Sequence, residues 1–331
     1  MSTGTAVAKR VTRRHDEGAG RLAAILVSPT MAVLGLVVLY PIIAALYTSL
    51  YQKNNGVNPK TGIVEQGDKF VGLQNYTAIF SGDTASTFWT AFGNTSFFTV
   101  VNVVIETAVG VAMALVMHRA FRGRGVVRAS ILVPWAIPTA VSALLWRWIF
   151  QPQGAANALF NSQVLWTADG TPAKVAVIIA DTWKTAPFIG LLVLAGLQTI
   201  PNEVYEAAKV DGATGWTQLF RITLPLAKPA LLVAVLFRIL DTLRIFDLPY
   251  VLVGPHKDSV NTLSMLAFDE ANNIRYGPAA AYSTVLFIYV AVVAFLFVKI
   301  LGADVIGAAR SQRKAAPKRN RAAGKPEAVA A

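Results

Sequence analysis

The sequence predicts an all-α membrane protein with six transmembrane helices, on three observations. Of 331 residues, 54% are hydrophobic and only 15% carry charge, against about 25% charged in an ordinary soluble domain. Several apolar runs reach the roughly 20 helical residues that a bilayer core requires. Lysine and arginine alternate in abundance from one connection to the next, as the positive-inside rule demands.

Taken in order, residues 1–21 form a polar basic tail (Lys9, Arg10, Arg13, Arg14, Arg21), which by composition is expected to be disordered. Arg13-Arg14 is followed by His15-Asp16-Glu17, which does not fit a twin-arginine export signal. The uncharged run from Leu22 to Tyr51 is too long for the apolar core of a cleaved signal peptide. It is read as the first span, 22–50, kinked near Pro29 or Pro41. The remaining spans are expected at 88–117, 127–150, 174–200, 230–253 and 279–301, with Pro134 and Pro138 kinking the third. The six-span domain thus covers 22–301, and residues 302–331 form a second basic tail expected to be disordered.

The Lys/Arg distribution sets the orientation. One side holds both tails and connections 118–128 and 201–229, with 19 Lys and Arg; the other holds 51–87, 151–173 and 254–278, with 5. Both termini and the 201–229 connection are therefore expected in the cytoplasm. The net charge of +12 follows this asymmetry and suits anionic lipid; it does not point to nucleic acid.

Residues 201–229 are a polar island between two greasy runs, with Glu203, Glu206, Lys209, Asp211, Arg221 and Lys228. Such a stretch must sit at a membrane face. Asn202 after Pro201 is expected to cap a short helix, Asp211-Gly212 to turn the chain, and Leu219, Phe220 and Ile222 to form a second amphipathic piece closed by Pro225 and Pro229. The result is a cytoplasmic helix-turn-helix with small residues at its tip.

The residues of this island closely resemble the "EAA" signature of ABC importer permeases: Glu206-Ala207-Ala208, then Asp211-Gly212-Ala213, then Ile222-Thr223-Leu224-Pro225. Phe70-Val71-Gly72-Leu73-Gln74-Asn75-Tyr76 is similar to the segment after the first span in sugar-type permeases of the same family. The resemblance covers about residues 22–301 and implies the type I importer permease fold. It makes Glu206, Ala207, Ala208, Asp211, Gly212 and Ala213 the coupling helix that docks into an ATPase subunit. It further implies a second, homologous permease subunit, two ATPase subunits that bind the ATP, and an external solute-binding protein.

Charges inside the spans are candidates for a transport path, because an ionisable side chain in hydrocarbon must face protein, water or a counter-charge. The fourth span carries Asp181 and Lys184; the fifth carries Arg238, Asp241, Arg244 and Asp247 at i, i+3 spacing, within pairing reach along one helix. At 1.5 Å per residue, Asp181 lies about 10 Å and Arg244 about 14 Å below the outer edge. These charges either pair only with each other or line a polar cavity for a hydroxyl-rich solute. The resemblance to maltose-type permeases places substrate ligands at Asp181, Lys184, Thr185, Phe188, Phe237, Leu240, Asp241 and Arg244. Trp135 is a further candidate wall; Trp146 and Trp148 read as interfacial anchors, and Glu106 as a structural hydrogen-bonding group.

What the chain lacks bounds its role. It has no Gly-x-x-x-x-Gly-Lys-Ser/Thr phosphate loop, no cysteine, no catalytic triad or paired-carboxylate site, and its histidines, His15, His118 and His256, are scattered. Neither catalytic nor metal residues are expected, and no cofactor of its own. The resemblance makes the expected substrate a sugar, a disaccharide such as trehalose or maltose first, glycerol-3-phosphate or another sugar derivative next. The competing reading is a secondary transporter with Glu106, Asp181 or Asp241 as a proton relay; a membrane enzyme is the third.

Overall fold

A computed structural model describes residues 20–54, 67–82 and 84–315. Most of the two basic tails, and residues 55–66 of the first outer connection, lie outside the described residues. The chain divides into two compact units. One is built from the chain up to Ala85 with Leu266–Val285, the other from Ser86–Met265 with Leu286 onward.

In the first unit, α1 (Gly20–Thr48) is long and apolar enough to span a bilayer. It contains one widened π turn, Gly35–Leu39, directly before Pro41. The extra residue in that turn gives room where the proline ring would meet the preceding carbonyl, so the irregularity expected near Pro41 is a bulge. Two short strands follow, β1 (Tyr51–Asn54) and β2 (Gly67–Phe70), antiparallel with Tyr51 opposite Phe70. This hairpin is an addition to the all-α expectation. Gly72 takes a left-handed turn (φ 58°) into α2 (Gln74–Ser81). There Asn75 is buried and donates to the carbonyls of Ser49 (2.7 Å) and Tyr51 (2.9 Å). The Gly-Leu-Gln-Asn-Tyr segment thus fastens the end of α1 to the hairpin.

The second unit carries the functional core. Its long helix α3 (Ala85–His118) packs on α7 (Thr171–Leu197) at a crossing of small residues. A β-carbon on Gly110 would come within 2.8 Å of Ile189, and one on Gly190 within 3.2 Å of the Gly110 carbonyl. Such contacts let two backbones approach closely where hydrophobic force is absent. Between them the chain makes α4 (Arg124–Ala136), α5 (Thr139–Ile149) and the one-and-a-half-turn α6 (Ala155–Phe160). α4 and α5 form a single broken element bent by 96°. The third span is therefore not one straight 127–150 helix. The break falls at Ile137-Pro138, whose extended ψ values of 134° and 141° follow from the residue-before-proline restriction and the missing proline N–H. Pro134 lies inside α4 without ending it.

After α8 (Asn202–Val210), helix α9 (Gly215–Thr242) runs without a stop. The expectation that Pro225 and Pro229 close the amphipathic piece does not hold. A π turn at Leu219–Thr223 makes the Leu224 N–H reach back five residues to Leu219, and that widening admits Pro225 into a continuing helix. At the other end α9 stops at Thr242, short of the expected 253. A separate helix α10 (Asp247–Leu252) follows, then α11 (Leu263–Asn272) and α12 (Tyr276–Ala315). α12 continues past the expected end of the sixth span at 301, through an Ala- and Arg-containing segment of good helix propensity. Among the described residues, five helices qualify as spans by length and composition, six when the bent pair counts as one.

Candidate functional site: a polar cavity among the spans and a polar elbow

The cavity is organised by one buried guanidinium. Arg238 on α9 pairs with both carboxylate oxygens of Glu106 on α3, with Asp181 on α7, and through Nη1 with Asp241 at 2.6 Å. Asn102, one turn before Glu106, donates to the same Asp181 oxygen at 2.6 Å. Glu106, Asn102, Asp181 and Arg238 are all buried, and they pair with one another in place of bulk water, with only Asn102 Oδ1 of the four side chains left without a partner. Three helices meet at this point.

Asp241 is the member that faces outward. Its side chain is 59% exposed and has Arg244 3.8 Å from its other oxygen, itself 70% exposed. Two adjoining hollows of about 220 and 280 Å³ lie here and share Thr185, Arg238, Asp241 and Arg244. The first is walled by Trp135, Phe188 and Phe237. Trp135 stacks on Phe188 (5.7 Å, 22°), and Phe237 meets Phe188 edge-on at 6.5 Å. The second takes in Asp181, Lys184 and Asp247.

Of the eight candidate substrate residues, seven line these hollows. Leu240 lines neither: one residue before Asp241, it points about 100° round the helix. Asp181 and Lys184 reach the cavity wall already committed, Asp181 to Asn102 and Arg238, Lys184 to the Ile137 carbonyl at 2.6 Å. The Thr185 hydroxyl donates to the Asp181 carbonyl. The four charges from Arg238 to Asp247 do not form one helical ladder. Arg238–Asp241 and Asp241–Arg244 pair at i, i+3 as expected, but Arg244 lies past the end of α9 and Asp247 opens α10. Asn102 and Arg238 are not among the substrate ligands that the sequence predicts, although Arg238 is among its charged span residues. The signal available was Asn102 and Glu106 at i, i+4 on one face of an otherwise apolar span.

The second feature is the elbow between α7 and α9. In α8, Pro201 takes the cap position and Asn202 opens the helix without a side-chain cap bond, which corrects the expectation for Asn202. The end of α8 is a Schellman stop. The Ala213 N–H bonds to the Ala208 carbonyl (2.9 Å) and the Gly212 N–H to the Lys209 carbonyl (3.0 Å), with Gly212 left-handed at φ 77°. The Glu-Ala-Ala-x-x-Asp-Gly-Ala string is therefore a helix end written in residues: Ala208 and Asp211 occupy its last turn, Gly212 reverses the chain and Ala213 closes it. Glu206 and Ala207 are exposed on α8, as are Asp211 and Gly212 at the turn. Thr214 caps α9 by accepting from the Thr217 N–H (3.3 Å), and Gln218 donates to the Ala213 carbonyl (3.0 Å). Trp216 and Phe220 stack in parallel on the exposed face (5.7 Å, 6°). A cleft of about 460 Å³ beside them is lined by His118, Arg119, Tyr205 and Trp216 among others.

Residues 106–307 match the sequence profile of the binding-protein-dependent transport system inner membrane component family. The chain belongs to this family. Among relatives of this inner membrane component, the trehalose transport system permease protein SugA of Mycobacterium tuberculosis is 40% identical over 315 residues, 94% of this chain and 98% of the relative. The trehalose/maltose transport system permease protein MalF of Thermococcus litoralis is 37% identical, over 85% and 93% of the two chains. The sulfoquinovosyl glycerol permease protein SmoG of Agrobacterium fabrum is 32% identical, over 88% and 94%. A chain of a bacterial alginate ABC transporter, solved with an alginate-bound periplasmic protein, superposes with a TM-score of 0.71 at 20% identity, covering 86% of this chain and 94% of that one. That likeness establishes the type I importer permease fold. The inner membrane component is thus a multi-pass transport permease that works with a binding protein.

Proposed function

We propose that this chain is one permease subunit of an ATP-driven importer that carries a neutral disaccharide, of the trehalose or maltose kind, into the cytoplasm. The observation that carries the reading is the exposed Asp241–Arg244 pair beside the Trp135–Phe188–Phe237 wall. Charged groups that can bond sugar hydroxyls stand next to aromatic faces that can cover the apolar face of a pyranose. Exposed charges at the end of a span, Asp241 within it and Arg244 just past it, are not stable against hydrocarbon and call for protein or water in front of them. A second, homologous permease on that face supplies the cover. The identities to SugA and MalF support the choice of sugar. Glu106 is held by Arg238 on both oxygens, which speaks against a free proton relay there.

In this reading both termini are cytoplasmic. Two ATPase subunits bind the ATP and grip the elbow from Glu206 to Ala213, and an external binding protein delivers the solute. The test is uptake by the full complex reconstituted with its binding protein, over a panel of trehalose, maltose, glycerol-3-phosphate and a monosaccharide. ATP-dependent accumulation of a disaccharide, lost in Asp241→Ala and weakened in Trp135→Ala, supports the proposal. Uptake by this chain alone on a pH gradient overturns it.

A further inference from the structure

We propose that Lys184 is a positioning residue that holds the break in the third span, and that it links the state of the cavity to the angle between α4 and α5. Pro138 has no N–H, and its own carbonyl accepts the first bond of α5, from Ser142 at 3.0 Å. The Ile137 carbonyl therefore falls between two helices and belongs to neither. An unhelical carbonyl within a span must be satisfied by protein or water. Lys184 Nζ does so at 2.6 Å, reaching across from α7.

Two aromatic contacts frame that bond. Four residues after Lys184, Phe188 stacks on Trp135 at the end of α4. One residue before it, Trp183 meets Trp146 of α5 edge-on at 5.7 Å. The two arms of the bend are each seated on α7 by a ring, and the lysine ties the vertex. The interface is not saturated: Ser142 Oγ, Trp146 Nε1 and Thr182 Oγ1 are buried without a hydrogen-bond partner. Against these unpaired groups, the Lys184 bond to the Ile137 carbonyl is a polar contact that is made.

Lys184 also lines the hollow that contains Asp181, Asp241 and Asp247, and Thr139, the first residue of α5, lines the same hollow. The charged groups around it are Asp181 on α7, Arg238 and Asp241 on α9, and Arg244 and Asp247 beyond it, with Glu106 behind on α3. An ammonium that can serve either the vertex carbonyl or a carboxylate released by solute has two stations in one cavity. Occupancy that draws it inward frees Ile137 and loosens the bend.

The lack of cysteine makes the test direct. Spin labels at Val126→Cys and Leu144→Cys, both exposed and one on each arm, report the bend by pulsed distance measurement in the reconstituted complex. In the Lys184→Met background the distance distribution should broaden or shift. Lys184→Gln and Lys184→Arg, which keep a donor, should restore a narrow distribution at least in part. Trehalose uptake should fall at least tenfold in Vmax for Lys184→Met, with KM within about twofold. An unchanged distribution in Lys184→Met, or a raised KM with unchanged Vmax, overturns the proposal and makes Lys184 a solute ligand only. If Lys184→Met does not assemble, the comparison of Lys184→Gln with Lys184→Arg decides. Recovery by both supports a donor to the carbonyl, and recovery by arginine alone overturns it. The inference rests on the transport reading only for the uptake arm. The distance arm uses no solute, so a wrong choice of sugar and a wrong role for Lys184 give different results.

Discussion

The guanidinium of Arg238 grips the carboxylate of Glu106 with two of its nitrogens, across 132 positions of sequence and with both side chains buried. Removing one partner of a buried pair costs about 3–5 kcal/mol when the other charge is left uncompensated; here Asp181 and Asp241 remain on Arg238, so the loss falls below that range. Glu106→Ala is expected to lower the thermal midpoint of the purified complex strongly and to reduce its yield from membranes. Glu106→Gln, which still accepts from Arg238, should do less harm. Equal midpoints for Glu106→Ala and the parent would show that the pair carries no structural weight.

The crossing of α3 and α7 depends on hydrogen at Gly110. A β-carbon there would lie 2.8 Å from Ile189 Cβ and 3.0 Å from the Ala186 carbonyl, so backbone has to move. Gly110→Val is expected to cost about 1–3 kcal/mol or more through overpacking, read as loss of thermal stability. Gly93→Val is the control, since a β-carbon at Gly93 meets nothing within 4 Å.

At the elbow the constraint is conformational, not steric. Gly212 sits at φ 77° with open space around it, so a side chain there is opposed only by left-handed backbone strain, about 1–2 kcal/mol. Gly212→Val should open the Schellman turn and cut ATP-driven uptake about tenfold or more, with normal amounts of protein in the membrane. Gly212→Ala should fall between. Full uptake in Gly212→Val would remove this turn from the coupling path.

On the loops between α6 and α7 and after α10, Asp169 accepts from the Ser259 hydroxyl and N–H and from the Gly170 N–H. Hydrogen bonds from Ser259, the side chain foremost, hold its carboxyl below the usual aspartate range. A depressed carboxyl stabilises above its unfolded value of about 3.9 and loses that contribution as pH falls through the folded value. Amide exchange at residues 257–261 should therefore speed up below about pH 4 beyond the ordinary trend. Asp169→Asn should show the faster exchange already at pH 7. No difference between Asp169→Asn and the parent at pH 7 would refute the tie.

The spans were legible because a bilayer imposes one length and one polarity on any helix that crosses it, and the elbow because its polar residues stand out against that background. The breaks were less legible. Prolines announce irregularity without its form: Pro138 turns the chain through 96°, while Pro134 and Pro187 sit in continuing helices and Pro225 is absorbed by a widened turn. The charge cluster was half legible. Asp181 and Asp241 were recognisable as costly groups in hydrocarbon. Their shared partner Arg238 became evident only when α3, α7 and α9 were side by side, since pairing over such separations leaves no local periodicity. The small hairpin was hidden because Tyr51–Asn54 and Gly67–Phe70 are short and polar, and what fixes them is Asn75, an ordinary residue in sequence.

The Arg238 cluster has a mechanical corollary. One guanidinium nailed to carboxylates on three helices, reinforced by the Gly110–Gly190 backbone contact, makes those helices a single stiff beam. A beam of that kind stores little bending. Excursions of the protein are then expected at residues outside the helices, among them Ile137 and Pro138 on one side and 243–246 on the other.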